Sequence, residues 1–193
     1  MVKCKKGYDI QPIRDTKKLQ AMSTVLYSRD PKYWCFFILG IHTGLRISDI
    51  LKLRVRDLDD MTRITEQKTQ KKRFLYLNNA VHQQIAAYIE ESGLEEDDLL
   101  IPSRKKKNGK TQPIGRQQAR LVLKETAAVC GLDPRTVGTH SLRKTFGYHF
   151  YMKTKDIATL MYIFNHDSER VTLRYIGVTD TSIREQLATF QLV

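Results

Sequence analysis

Few cysteines and the absence of any long apolar run narrow the classes of protein that this 193-residue sequence can encode. Cys4, Cys35 and Cys130 are widely separated and show no C-x-x-C spacing, which argues against a disulfide framework or a zinc knuckle. The richest apolar run covers only residues 34–40, far short of the roughly 20 residues that span a bilayer. Residues 1–6 are basic, but no apolar segment follows them as in a secretory signal. We therefore expect a cytoplasmic protein with reduced thiols and no membrane segment.

Positive charge is in excess along the chain. Thirty-three Lys and Arg residues against 21 Asp and Glu residues give a formal net charge of +12. Such an excess attracts polyanions through counterion release, without sequence preference. Many basic proteins carry only a solvated surface, however, so charge alone leaves nucleic-acid binding open. No acidic cluster of metal-ligand type is evident in the sequence.

Helical patterns dominate the chain and predict a single, mainly α domain. Asp15 is placed to cap a first helix with apolar residues at helical spacing, Pro31 suits the start of a second, and Gly44 its end. Two short segments, residues 63–65 and 73–77, have the composition of strands and predict a small antiparallel sheet on one side. The polar stretch 103–110 is expected to be a basic loop. Further helices are predicted over residues 79–92, 116–130, 139–152, 155–164, 168–176 and 181–190.

A set of residues with useful chemistry is spread along this helical pattern. His140 and Arg143 stand at i and i+3, so they project from one side of a helix. His166 precedes Tyr175 by nine residues, and Arg46 follows a glycine at a tight turn. Taken singly, each has an ordinary explanation: a surface arginine, a chance H-x-x-R, or a tyrosine that only packs. Together they suit a phosphodiester that two guanidinium groups hold and a phenol attacks.

In their order and spacing these motifs resemble the tyrosine recombinases, also called phage integrases, over almost the whole catalytic domain of that family. Thr43-Gly44-Leu45-Arg46 resembles the first arginine box of the family, and Glu66-Gln67-Lys68 its lysine strand. The segment His140-Ser141-Leu142-Arg143 resembles its H-x-x-R box. Asn165-His166 and Tyr175 resemble its last histidine and its nucleophile. The resemblance implies a helical catalytic domain with a small sheet, acting on double-stranded DNA.

The resemblance also implies a role for each residue. Tyr175 would become joined to a DNA 3′-phosphate, while Arg46 and Arg143 stabilise the charge of the transition state. Lys68 would protonate the leaving 5′-hydroxyl as general acid. His140 would assist proton transfer, and His166 would hydrogen-bond the phosphate. Neither a metal nor another cofactor is expected.

Some assignments stay open at this stage. Lys71 and Lys72 lie close to Lys68, which is favoured because it ends the first strand. The sequence has Phe164-Asn165-His166 where the family commonly has Leu-Gly-His, and asparagine tolerates the left-handed backbone that such a turn needs. Lys144 stands where many members have a second histidine, which a phosphate-lined site should tolerate.

The chain is expected to form one catalytic domain over residues 1–193, without the N-terminal DNA-clamping domain of most members. It is then either a fragment or a naturally minimal form. The tail, with Ile183, Leu187 and Phe190 at helical spacing, is expected to dock on a neighbouring copy and to build a multimer, a tetramer, on DNA. Two alternatives remain: a type IB topoisomerase, and a DNA-binding regulator that kept the fold and lost catalysis.

Overall fold

The chain folds as a set of helices with two short antiparallel hairpins. The computed structural model describes residues 9–58, 63–65, 72–178, 188 and 190–191. Eight α-helices and four strands lie in that part of the chain, which confirms the predicted mainly α fold. No helix there is both long and apolar enough to cross a membrane. The helices are α1 (Thr16–Arg29), α2 (Pro31–Thr43), α3 (Ile47–Ile50), α4 (Asn79–Ser92), α5 (Arg116–Val129), α6 (Thr139–Thr154), α7 (Ile157–Phe164) and α8 (Glu169–Tyr175), and the strands are β1 (Arg63–Thr65), β2 (Lys72–Phe74), β3 (Pro102–Lys107) and β4 (Lys110–Pro113).

Helix α2 forms the centre of the main core. Its sequence is almost wholly apolar, so it is buried on most of its circumference, and α1, α4 and α6 pack around it. Asp30 caps it by accepting a hydrogen bond from the backbone amide of Lys32, and Pro31 fits the first helical position. Helices α2 and α6 cross closely at Gly40, where a Cβ atom would lie 2.5 Å from a side-chain carbon of Leu142. This crossing fixes α6 against the end of α2.

The helix ends follow the local signals in the sequence. Asp15 caps α1 by accepting hydrogen bonds from two backbone amides, and Gly44 ends α2 in the left-handed conformation, with φ of +61°. Both of these predictions are confirmed. The predicted bounds are met at α4 and differ by one or two residues at α5 to α8. Most of the helix predicted over residues 181–190 lies outside the described residues.

The two hairpins differ from the prediction. Strand β1 pairs with β2, but the pairing ends at Phe74 rather than continuing to residue 77. The basic loop predicted over residues 103–110 was wrong, because this segment forms the hairpin β3–β4. Asn108 and Gly109 make its turn, with φ of +50° and +72°. An Asn-Gly pair favours such a two-residue turn, which holds the lysines of this segment in a fixed, exposed hairpin.

A second, smaller core joins α6, α7 and α8. Leu160, Phe164 and Ile176 are fully buried at its centre. Gly147 of α6 allows the Phe164 ring to approach, because a Cβ atom there would lie 2.7 Å from the ring carbons. Packing in this core therefore fixes both helices that flank the segment between α7 and α8, which contains His166.

An extended segment, residues 9–14, lies along α6 and ties it to the end of α8. The Ile13 amide donates to Thr145 Oγ1 at 2.8 Å. The Arg14 guanidinium donates to the Gly177 carbonyl at 2.8 Å, just beyond α8. The position of α8 thus depends on residues from the opposite end of the sequence.

Candidate active site

A rigid turn presents Arg46. Gly44 cannot carry a side chain, both because its φ is positive and because a Cβ atom would lie 2.6 Å from the Phe146 ring. Thr43 fixes the turn further, since its hydroxyl donates to the Leu39 carbonyl at 2.6 Å and accepts from the Leu45 amide at 3.2 Å. Arg46 then begins α3 as its N-cap residue. Its half-buried guanidinium is carried on a backbone with little freedom.

Arg143 is buried and connects the two halves of the site. One terminal nitrogen donates to the Gly44 carbonyl, and the other donates to the Phe164 carbonyl at 2.9 Å. Its guanidinium lies over the Phe164 ring, 4.3 Å from the centroid. Such a stack contributes about 2 kcal/mol when it is desolvated. The side chain of Arg143 therefore joins the H-x-x-R box to the first arginine box and to the turn before His166.

Arg46, His140 and Arg143 line one concavity of about 320 Å³. Arg116, which the sequence motifs did not identify, lines it as well. Arg116 is the first residue of α5 and directly follows Gly115. The sequence signal that could have identified it was a basic residue at the start of a helix, just after a glycine. A concavity lined by three arginines suits an anion such as a phosphate.

His166 follows a left-handed turn. Asn165 has φ of +50° and ψ of +52°, so asparagine does provide the backbone conformation expected where glycine is usual. His166 Nδ1 lies 3.1 Å from the hydroxyl oxygen of Thr172 on α8. Burial lowers the pKa of His166 below its ordinary value, and the positive charges of Arg143 and Arg46 lower it further. Both effects favour the uncharged imidazole.

Tyr175 is the last residue of α8, and its ring packs against the two residues that frame the turn. The ring centroid lies 5.3 Å from that of His166 and 5.4 Å from that of Phe164, edge to face in both cases. Burial raises the pKa of Tyr175 above its ordinary value, whereas the positive charges of Arg143 and Arg46 oppose this rise. The charges of two arginines of the same chain therefore act on this phenol.

Lys144 does not face the arginine-lined concavity. Its ammonium donates to the Ile10 carbonyl at 2.6 Å and lies over the Tyr175 ring, 5.4 Å from the centroid. Residues 9–14 therefore hold the lysine beside the ring of the tyrosine. The sequence predicted that Lys144 would replace a histidine at a phosphate-lined site. The structure instead places it outside the arginine-lined concavity.

The predicted lysines are only partly within the described residues. Lys68 and Lys71 lie outside them. Lys72 lines a second cavity of about 760 Å³, which His42, Asn165 and His166 also line. The predicted site residues in the described part of the chain are thus distributed over two concavities, and Tyr175 packs against His166.

The model of the Phage integrase family matches residues 15–182 of the chain. The chain belongs to the phage integrase family. A probable integrase/recombinase of Bacillus subtilis (strain 168), YoeC, is 42% identical to this family member over 183 residues, which cover 94% of the chain and 97% of that protein. A tyrosine recombinase of Pseudothermotoga lettingae is 31% identical over 140 residues, covering 71% of the chain and 46% of that protein. The chain thus matches the Bacillus protein almost throughout, and about half of the Pseudothermotoga recombinase.

Solved structures have the same fold as this phage integrase family member. The XerA recombinase superposes with a TM-score of 0.73 at 16% identity, covering 95% of this chain and 65% of that one. The XerH recombinase bound to a palindromic difH substrate gives 0.67 at 17% identity, covering 94% and 54%. At such identities the likeness shows the fold, and it confirms the predicted fold class.

Proposed function

We propose that this protein is a site-specific DNA recombinase that cuts and rejoins strands through a covalent bond between Tyr175 and a DNA 3′-phosphate. One observation carries the proposal: the positive charges of Arg143 and Arg46, which line one concavity, act on the phenol of Tyr175. Membership of the phage integrase family supports the same reaction. The six residues assigned to the reaction are Arg46, Lys68, His140, Arg143, His166 and Tyr175.

In the proposed reaction, the phenol oxygen of Tyr175 forms a bond to phosphorus while the bond from phosphorus to the 5′-oxygen breaks. Arg46 and Arg143 donate to the non-bridging oxygens and stabilise the charge of the pentavalent transition state. Lys68 protonates the leaving 5′-oxygen, and His140 assists proton transfer. Because the phosphotyrosyl bond conserves the phosphodiester, a 5′-hydroxyl from another strand reverses the step without a nucleotide cofactor.

A nicked DNA library tests this proposal whatever the target sequence is. Random-sequence duplexes carry a nick a few nucleotides 3′ of the possible cleavage positions, so the short released strand diffuses away and the covalent intermediate accumulates. Adducts are isolated on a denaturing gel, and sequencing of their DNA identifies the site. We expect adducts with the unaltered protein and none with Tyr175→Phe. The matched control is Tyr162→Phe, which changes an exposed tyrosine and should still give adducts.

The outcomes separate the alternatives. A regulator that lost catalysis would bind DNA but give no adduct from the whole library. A type IB topoisomerase would relax supercoiled plasmid and give adducts with little sequence preference. An adduct that persists in Tyr175→Phe would assign the nucleophile to another residue and would refute the proposed role of Tyr175.

We also propose that residues 1–193 act as one catalytic domain on double-stranded DNA in the cytoplasm. The net charge of +12 supports this partner. Among the structural neighbours, the Tn1549 transposon integrase is in complex with transposon right end DNA. Binding driven by phosphate contacts should weaken steeply as the salt concentration rises, which a titration of a labelled duplex measures. Affinity that does not change with salt would contradict this mode of binding.

Finally, we propose that copies assemble on DNA as a tetramer through the tail. Phe190 is well exposed, which supports docking on a neighbour rather than on its own core. The lambda integrase fragment among the structural neighbours is a dimer bound to a core site. Sedimentation of the protein on its cleavage site should give a tetramer, and Phe190→Asp should reduce it to smaller species. An unchanged assembly in Phe190→Asp would exclude this use of the tail.

A further inference from the structure

Segment 9–14 holds the chain just beyond Tyr175. The Arg14 guanidinium donates to the Gly177 carbonyl at 2.8 Å. Pro12 lies against the same glycine, since a Cβ atom there would be 3.3 Å from the carbons of the proline ring. Gly177 has φ of +79°, a left-handed conformation that side chains rarely allow. The backbone that carries the tyrosine is thus fixed on its C-terminal side.

Lys144 of α6 connects the same segment to the ring of Tyr175. Its ammonium donates to the Ile10 carbonyl at 2.6 Å and lies over the ring, 5.4 Å from the centroid. The carboxylate of Asp9 is 3.8 Å from the ammonium, but its side chain is mostly exposed, so this ion pair contributes little. Lys144 is therefore held by a backbone carbonyl on one side and covers an aromatic face on the other.

The surroundings of Lys144 explain why its ammonium stays against the ring. The residue is buried, and a buried ammonium loses the water that would otherwise accept from its three N–H groups. The Ile10 carbonyl accepts from one of them, and the electron-rich face of the ring attracts the positive charge. This attraction is stronger at a desolvated site than at an exposed one. The lysine and the ring of Tyr175 therefore stabilise each other in one arrangement.

Three contacts define the orientation of the Tyr175 ring. His166 and Phe164 meet it edge to face, with interplanar angles of 84° and 79°. Lys144 lies over its face. The phenol oxygen is carried at the end of this ring, so a tilt of the ring displaces the oxygen. A displacement of about 1 Å at a reacting centre costs on the order of a hundredfold in rate.

We infer that Lys144 is a positioning residue: held by the Ile10 carbonyl, its ammonium keeps the ring of Tyr175 in the orientation from which the phenol attacks DNA. The inference rests on the proposed function. In this role Lys144 does not contact the phosphate, because it lies outside the concavity that the arginines line. It acts through the ring, by keeping the oxygen where the charges of Arg46 and Arg143 act on it.

The group that anchors Lys144 comes from outside the family match. The family model covers residues 15–182, whereas Ile10 belongs to segment 9–14, which precedes them. The orientation of the nucleophile in this protein therefore depends on a segment that the family motifs do not include.

Proton NMR of the free protein tests the contact without DNA. Protons above an aromatic face resonate upfield, so the methylene protons next to the Lys144 ammonium should be shifted upfield in the unaltered protein. Lys144→Met assigns these signals by removing them, and Tyr175→Leu, which removes the ring, should return them to the ordinary position for lysine. The matched control is Lys155, which lies 5.4 Å from the centroid of the Tyr151 ring and should not respond to Tyr175→Leu. An ordinary position for the Lys144 protons in the unaltered protein would overturn the inference, even if the variants fail to fold.

Cleavage kinetics on the nicked site recovered from the library test the consequence. Lys144→Met keeps the length of the side chain but not its charge. It should slow single-turnover adduct formation at saturating DNA about tenfold, which corresponds to about 1.4 kcal/mol. A cation over an aromatic ring contributes an energy of this order. DNA affinity should not change, and Lys144→Arg, which keeps a cation, should retain most of the rate.

Lys155→Met is the matched control for the kinetics, because it removes an exposed ammonium from over another tyrosine ring of α6. Its rate and DNA affinity should equal those of the unaltered protein. An unaltered rate in Lys144→Met would refute the positioning role, and so would equal losses in Lys144→Met and Lys144→Arg. A loss of DNA affinity in place of rate would show that Lys144 acts on the DNA and not on the ring.

The two proposals fail in different ways. If the unaltered protein forms no adduct with any DNA, the recombinase function is refuted and the catalytic consequence falls with it. The NMR result still decides the contact between Lys144 and Tyr175 in that case. If adducts form but Lys144→Met forms them at the unaltered rate, the recombinase function stands and the role of Lys144 is wrong.

Discussion

Phe164→Ala should lower the free energy of unfolding by about 4 kcal/mol, within the range for removing a buried aromatic ring. The ring has no solvent exposure and lies at the centre of the smaller core. It packs against Phe146, His166 and Tyr175, and it supports the guanidinium of Arg143. Since whole domains are stable by only about 5–15 kcal/mol, the loss should be large relative to the total.

Urea unfolding followed by circular dichroism measures this loss, provided that the slope with denaturant is unchanged. The matched control is Tyr162→Ala, on the same helix, because that ring is 82% exposed and its removal should change stability by no more than about 0.5 kcal/mol. Phe164→Leu, which keeps part of the apolar volume, should fall between the two. A loss for Phe164→Ala as small as that of the control would show that the ring does not hold α6, α7 and α8 together.

Three further predictions follow from the site. Arg143→Ala should destabilise the protein by about 1–3 kcal/mol more than Arg46→Ala, because it leaves two backbone carbonyls without their donor, and thermal unfolding of both variants measures the difference. The pKa of His166 is lowered in the folded state, so its contribution to stability is present above the ordinary pKa of about 6.5 and is lost as pH falls through the lowered value. His166→Gln should therefore weaken the acid dependence of stability, measured by urea unfolding from pH 7 to pH 4, and an unchanged dependence would contradict the lowered pKa. Lys68→Ala should abolish cleavage of an ordinary phosphodiester but not of one with a bridging 5′-sulfur, because the sulfur leaves without protonation. If the sulfur substrate rescues only Lys72→Ala, the general acid is Lys72 instead.

Local chemistry made the helices predictable. Asp15, Pro31 and Gly44 act through their own backbone and near neighbours, so their effects are visible in the sequence. The hairpin β3–β4 was missed because its strands carry lysines on exposed faces and have no alternating apolar pattern. The Asn108-Gly109 turn was the one available signal, and it was outweighed by the run of charge.

The site was predictable only as far as its motifs extend. Order and spacing selected five residues that the structure describes. The fold brings Arg46, His140 and Arg143 to one concavity. It packs Tyr175 against His166, which lines the other. The contacts of Arg143 with two carbonyls join residues 99 and 21 positions away, which no local pattern reveals. The contact of Lys144 with the ring of Tyr175 was missed for the same reason: the two residues lie on different helices and meet only in the folded chain.

The burial of Arg143 has a consequence for comparing members of this family. Because the side chain joins the turn after α2 to the end of α7, a family member without catalytic activity would still need it to fold. The phenolic oxygen of Tyr175 is one atom whose loss leaves the ring packing intact. In a lineage that loses catalytic activity, the first change should therefore be replacement of Tyr175 by phenylalanine, while Arg143 is retained. Retention of the arginine is accordingly poor evidence that a homologue is still active.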